Sequence, residues 1–173
     1  MPQFVRADLR LDRWLETVGR QPQDFPPDVI TDLKTKGDLL SVFEVTDAVT
    51  AERIAVAVGA GKGRPDDITY AVFERAAIEA LGIPINKNEG GTIDAVVNTV
   101  HHDLHVATAT KLVELAGVIA SGQVVSILKK DAIVLLRRGF ESGQLDHTKR
   151  PDLSKRVNAV IPTHHEPPPV VEE

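Results

Sequence analysis

Apolar residues along this chain keep changing their spacing, and each change marks an element. Positions 4–11 run Phe-Val-Arg-Ala-Asp-Leu-Arg-Leu. They begin with alternation and predict a strand or short lead-in over residues 3–11, with Trp14 anchoring the segment after it. Pro22, Pro26 and Pro27 make residues 21–28 a loop. Residues 39–46, Leu-Leu-Ser-Val-Phe-Glu-Val-Thr, are rich in β-branched and aromatic side chains and give the clearest strand. Lys36-Gly37-Asp38 before them suits a turn. Residues 50–58 read as a helix capped by Thr50 and stopped by Gly59 and Gly61, although residues 54–58 also fit a strand. Residues 59–67 form a Gly-rich loop and 68–73 a strand. A helix through Leu81 comes next, then a second loop over 82–91 that ends in Gly90-Gly91.

Residues 93–105 carry the pattern with the most chemical content. On a helix, Asp94, Asn98, His101 and His105 fall at i, i+4, i+7 and i+11 and stand in one polar row. Ile93, Val97, Val100 and Leu104 form an apolar row beside it. Thr92 would cap this helix, and Asp94 would suit the positive end of its dipole. The periodicity resumes through Leu112, Leu115 and Ile119 to a stop at Gly122. One unbroken helix over 93–120 would be about 42 Å long, so a break is expected near 105–110. Further helices are predicted over 129–141, stopped by Gly143, and over 151–161, with Pro151 in the first turn and Pro162 after the end. A strand-rich N-terminal half packed with a helical C-terminal half predicts an α+β fold. We expect one domain over 1–161 and a disordered, Pro-rich acidic tail over 162–173. No internal repeat is visible.

Composition narrows the function classes. A chain of 173 residues can bury roughly 70% of its unfolded surface, so it needs no disulfide or structural metal merely to stay folded. There is no cysteine, which removes thiol nucleophiles, Cys-ligated zinc and disulfides. Aromatic residues make up only 4%, so the core must be aliphatic, and clusters that stack on bases are absent. No signal-peptide pattern begins the chain, and no apolar run approaches the roughly 20 residues that span a bilayer. A cytoplasmic protein with no membrane partner is expected. The net charge of −5 is unevenly spread. Residues 129–156 hold eight basic and four acidic side chains, whereas residues 1–128 hold 12 and 18.

Three groups of residues are candidates for chemistry. His101 and His105 are four apart, so on a helix both imidazoles reach one ion, with Asp94 or Asn98 adding an oxygen. The Glu that comes after the first His of a metalloprotease helix is here His102, and the alternative is a polar helix edge bonded to loops. Gly61, Lys62, Gly63 and Arg64 could cradle a phosphate with backbone N–H groups and two cations. Their spacing matches neither the P-loop nor the dinucleotide fingerprint, and a flexible connector is the alternative. Lys129, Lys130, Arg137, Arg138, Lys149, Arg150, Lys155 and Arg156 could straddle a phosphate backbone or meet an acidic protein, or be ordinary helix-end charges. Carboxylates, Asp103 among them, are scattered, and no serine, Ser41 included, sits in a Gly-x-Ser-x-Gly elbow.

These patterns predict a binding or accessory protein without catalytic activity of its own. It would act through a partner protein, a nucleic acid or a second copy of itself, and needs no cofactor. One alternative is a metal-dependent hydrolase or nuclease with a divalent metal on the His101/His105 helix. The other is a nucleic-acid-binding module built on residues 129–156.

Overall fold

Two central strands diverge halfway along their length, and the rest of the architecture is arranged around that fork. The structure is a computed structural model and describes residues 2–159. Its strands are β1 (Gln3–Leu9), β2 (Leu39–Val45), β3 (Ile68–Glu74), β4 (Ile85–Lys87), β5 (His101–His105) and β6 (Gln123–Ile127). They form one sheet in the order β4-β5-β2-β1-β3-β6, with every neighbouring pair antiparallel. The helices are α1 (Leu11–Leu15), α2 (Pro27–Asp32), α3 (Ala48–Ala60), α4 (Arg75–Ala80), α5 (Ala95–Asn98), α6 (Ala109–Ser121), α7 (Lys129–Glu141) and α8 (Pro151–Ala159). This is the expected α+β class, although β5 and β6 come from the second half of the chain.

Because β2 and β3 both run opposite to β1, they are parallel to each other, and α3 connects them across one face. That face carries α7 and α8 as well, packed with Val5, Phe43, Val45, Tyr70 and Ile127. The other face carries α6 and the short helices α1, α2 and α4, packed with Phe4, Leu40, Val42, Phe73 and Leu104. Period-2 alternation divides the neighbours Phe4 and Val5, and Val42 and Phe43, between the two cores. No helix among the described residues is long and apolar enough to cross a membrane.

Several sequence expectations change. Helix α3 is capped by Asp47, whose Oδ1 accepts the Thr50 N–H at 2.8 Å, so Thr50 lies inside the first turn. Gly59 lies within α3, where a Cβ would meet Ile68 Cδ1 at 2.9 Å. It permits close helix-to-strand packing and does not stop the helix. The loop expected over 82–91 contains β4, and β6 occupies a stretch that no pattern had assigned. Helix α7 has the predicted bounds. The end of the last predicted helix and the tail over 162–173 lie outside the described residues.

The largest correction concerns residues 93–105. Asp94 caps the one-turn helix α5, and His101–His105 is then a strand paired along β2 from Phe43↔His101 to Leu39↔His105. The helix that Asp94 starts ends after one turn, at Thr99, and the backbone of residues 101–105 pairs with β2 instead of continuing the i to i−4 ladder. Strand β5 is covered on both faces, so its burial lacks the simple alternation that identifies a half-buried strand.

The fork arises in β1. Its pairing with β2 covers only Gln3↔Val45, Phe4↔Glu44 and Val5↔Phe43. Its pairing with β3 continues to Leu9↔Thr69, past a bulge at Asp8, where φ is +64°. A bulge bends its strand and increases local twist. Beyond Val5, β1 therefore tracks β3, while β2 stays with β5. The carbonyl of Ser41, left without a strand partner on that side, accepts Arg6 Nη1 at 2.9 Å.

Candidate functional site

A cavity of about 310 Å³ opens at this fork. Its sheet side is formed by Arg6, Ala7, Asp8, Ser41, Phe43 and His101. The last turns of α3 supply Ala57, Val58 and Gly61, and the loop before α5 supplies Gly91, Thr92 and Ile93. Arg150, just before α8, completes the lining and donates to Gly61 O at 3.0 Å. Apolar and polar side chains both line it, a mixture common in small-molecule sites.

His101 is 8% exposed and packs edge-on against Phe43, with ring centroids 5.1 Å apart. Its Nδ1 contacts Asn88 Oδ1, and Asn88 Nδ2 donates to Asp103 Oδ2. Because the Asn88 amide donates to a carboxylate on one side, its oxygen faces the ring on the other, and His101 Nδ1 carries the proton. Burial lowers the His101 pKa below the usual histidine value, opposed by Asp103 and assisted by His102. The ring is therefore neutral near pH 7, with its lone pair on Nε2, 3.7 Å from Asp103 Oδ1. Ser41 Oγ donates to that same Asp103 oxygen at 3.4 Å. The loop reaches this network because Gly90 lacks a side chain: a Cβ there would lie 2.9 Å from Asn98 Oδ1 and 3.1 Å from His101 Cβ.

Asp8 projects from the bulge and accepts Lys62 Nζ at 2.8 Å and Lys34 Nζ at 3.1 Å. Burial alone would raise its pKa, but the bonds from Lys62 and Lys34 hold it below the usual carboxylate value. Arg6 donates through Nη1 and Nη2 to the carbonyls of Ser41 and Leu33, while its Nε is buried without a hydrogen-bond partner. Burial pulls Arg6 below the usual arginine value, and Asp8 and Asp32 oppose that effect.

No family model, curated protein or solved structure matches this chain. The metal set Asp94, His101 and His105 rested on a helix that is not there. His101 and His105 lie on one face of β5, but four strand residues separate them by roughly 13 Å, and His105 is exposed. Asp94 is bound to Arg53 at 2.6 and 2.9 Å and faces a different cavity of about 290 Å³. Among the described residues, no group of three or more His, Asp or Glu side chains could hold a metal ion.

The Gly-rich run does not present free amides. The N–H groups of Gly61, Lys62 and Gly63 donate to Val58, Gly59 and Ala60 carbonyls in the last turn of α3. Lys62 pairs with Asp8, and Arg64 lies 3.8 Å from Asp66. The basic segment is divided among several positions. Arg137 donates twice to Val157 O, at 3.1 and 2.7 Å, and so ties α8 to α7. Arg138 lines the cavity beside Arg53 and Asp94. The N–H of Lys129 donates to Asp67, and Lys130 is next to it in the first turn of α7. Lys149, Lys155 and Arg156 are exposed. One residue from each sequence-predicted group, His101, Gly61 and Arg150, meets at the fork cleft. Sequence reasoning missed Arg6 and Asn88 and gave Ser41 and Asp103 no role. A charged residue inside the apolar run of β1 was the available signal for Arg6.

Proposed function

We propose that this chain is a binding module and not a catalyst, with the fork cleft as its binding centre. The observation that carries this reading is how the polar groups are engaged. The Ser41 hydroxyl donates to Asp103, and His101 is turned by Asn88 so that its free nitrogen faces the same carboxylate. The histidine is not the partner of the hydroxyl, so the two do not form a Ser–His nucleophile–base pair. The network instead fixes side chains around a cavity at the small end of the range for ligand sites. A protein of this kind acts through what it docks to, a partner protein or a nucleic acid. The exposed Lys149, Lys155 and Arg156, in the same segment as Arg150, are cations that an acidic partner would meet.

A thermal-shift screen of small polar metabolites tests the binding centre. The control is Gly91→Phe: a Cβ at Gly91 has open space, and its backbone is not left-handed. A ligand is expected to raise the melting temperature of the wild type and not of Gly91→Phe. Equal shifts in both proteins, or none from any compound, would contradict the reading.

A further inference from the structure

Given a binding role for the fork cleft, we infer that its ligand is a small anion, a carboxylate or a phosphate monoester, bound by the guanidinium of Arg150 beside the buried charge of Arg6. Hydrogen-bond accounting around the cavity supports this chemistry. The one carboxylate in the lining, Asp8, has both oxygens answered by Lys62 and Lys34. The hydroxyl of Thr92 lies 2.8 Å from Asn98 Oδ1 and 3.1 Å from Asp94 O, and that of Ser41 is engaged by Asp103. Unused capacity is on the donor side. Arg6 contributes charge and no contact, since its Nη1 and Nη2 serve the Ser41 and Leu33 carbonyls and its Nε is sealed from solvent. Arg150 makes one contact, to Gly61 O, and no carboxylate of the described residues lies within ion-pair distance of it. A planar guanidinium with free donors matches the paired oxygens of a carboxylate or phosphate.

The counter-effect is local. Helix α3 ends at this cleft, and a helix C-terminus carries partial negative charge. Arg150 answers one carbonyl there, so it could serve only to cap the helix. That role would use one N–H and leave the other donors of Arg150 unused. An incoming anion answers those donors and lies beside the buried charge of Arg6. The phosphate-cradle amides of the Gly-rich run are turned inward, so recognition falls to side chains. The apolar lining of Phe43, Ala57, Val58 and Ile93 suits a short hydrocarbon body attached to the acidic group.

Isothermal titration of the full chain with acetate, malonate, methyl phosphate and neutral acetamide tests the inference. Binding of a carboxylate or of methyl phosphate, with none of acetamide, is expected, and the stronger arm assigns the acid. Arg150→Gln should weaken that binding at least tenfold with the melting temperature little changed. If Arg150→Gln does not fold, Arg150→Lys keeps the charge and a donor to Gly61 but loses the paired geometry, and should weaken binding at least threefold. Unchanged affinity in the folded variant would overturn the inference and leave Arg150 a helix cap. Acetamide binding as well as acetate, or no binding by any of the acids, would also overturn it. If a neutral or cationic compound from the thermal-shift screen binds the cleft while the acids do not, only the anion chemistry fails. If nothing binds, the binding role fails too.

Discussion

Asp32 accepts the indole N–H of Trp14 at 2.8 Å from a position with no solvent exposure. The same carboxylate oxygen accepts the backbone N–H of Arg10 at 2.8 Å, and Arg13 Nη1 lies 3.7 Å from the other oxygen. One buried charge thus joins α1 and α2 to the end of β1, close to where the fork opens. Removing it leaves the indole and a backbone N–H unanswered and strands Arg6 and Arg13 near an apolar core. Asp32→Ala is expected to cost about 3 kcal/mol in urea unfolding. Asp32→Asn, which keeps an acceptor for the indole, should cost less. Equal stability of wild type and Asp32→Ala would show that the network does not hold the helices.

Asp94 makes a comparable junction on the opposite face. Its side chain caps α5 through the Val96 and Val97 N–H groups and grips Arg53 of α3 with both oxygens. A lost cap costs about 1 kcal/mol, and loss of a partner from a largely buried ion pair adds to this. Asp94→Ala should therefore cost about 2 kcal/mol or more, whereas Asp94→Asn keeps the cap and should lose about half of that. The order of the two variants in chemical denaturation is the check, and Asn no better than Ala would remove the capping contribution.

These two carboxylates also show what could be read in advance. A helix start at this point was legible because such signals are local, but the cap is Asp94 and not Thr92, and the donors it serves lie two and three residues ahead. Its true partner, Arg53, is 41 positions away, and nothing local signals it. Strand β2 was legible from its β-branched and aromatic content, and helix α7 from a period that holds over its whole length. The histidine stretch was not, since a five-residue strand buried on both faces leaves too few positions to separate a period of two from one of 3.6. The fork was beyond the reach of pattern. It depends on which strands pair, and on Asp8 taking a left-handed backbone inside an otherwise alternating run.

His101 should make stability depend on pH. Burial lowers its folded pKa below 6.5, so the unfolded chain binds the proton more readily. By linkage, its contribution is fully present above pH 6.5 and is lost as the pH falls from there through the folded value. Denaturation from pH 7.5 to 5 should show a decline that His101→Gln reduces. A wild type and variant with parallel profiles would mean that the ring is solvated in both states.

The central claim is that the fork between β1 and β2 is where this protein meets its ligand. Backbone-amide NMR of the full chain during titration with the tightest-binding acid tests it most directly. The account predicts the largest shifts at residues 6–8, 41–43, 57–62, 91–93 and 101, with residue 150 moving alongside. Shifts confined to α7, α8 or the cavity beside Arg53 and Asp94, with the fork silent, would contradict it.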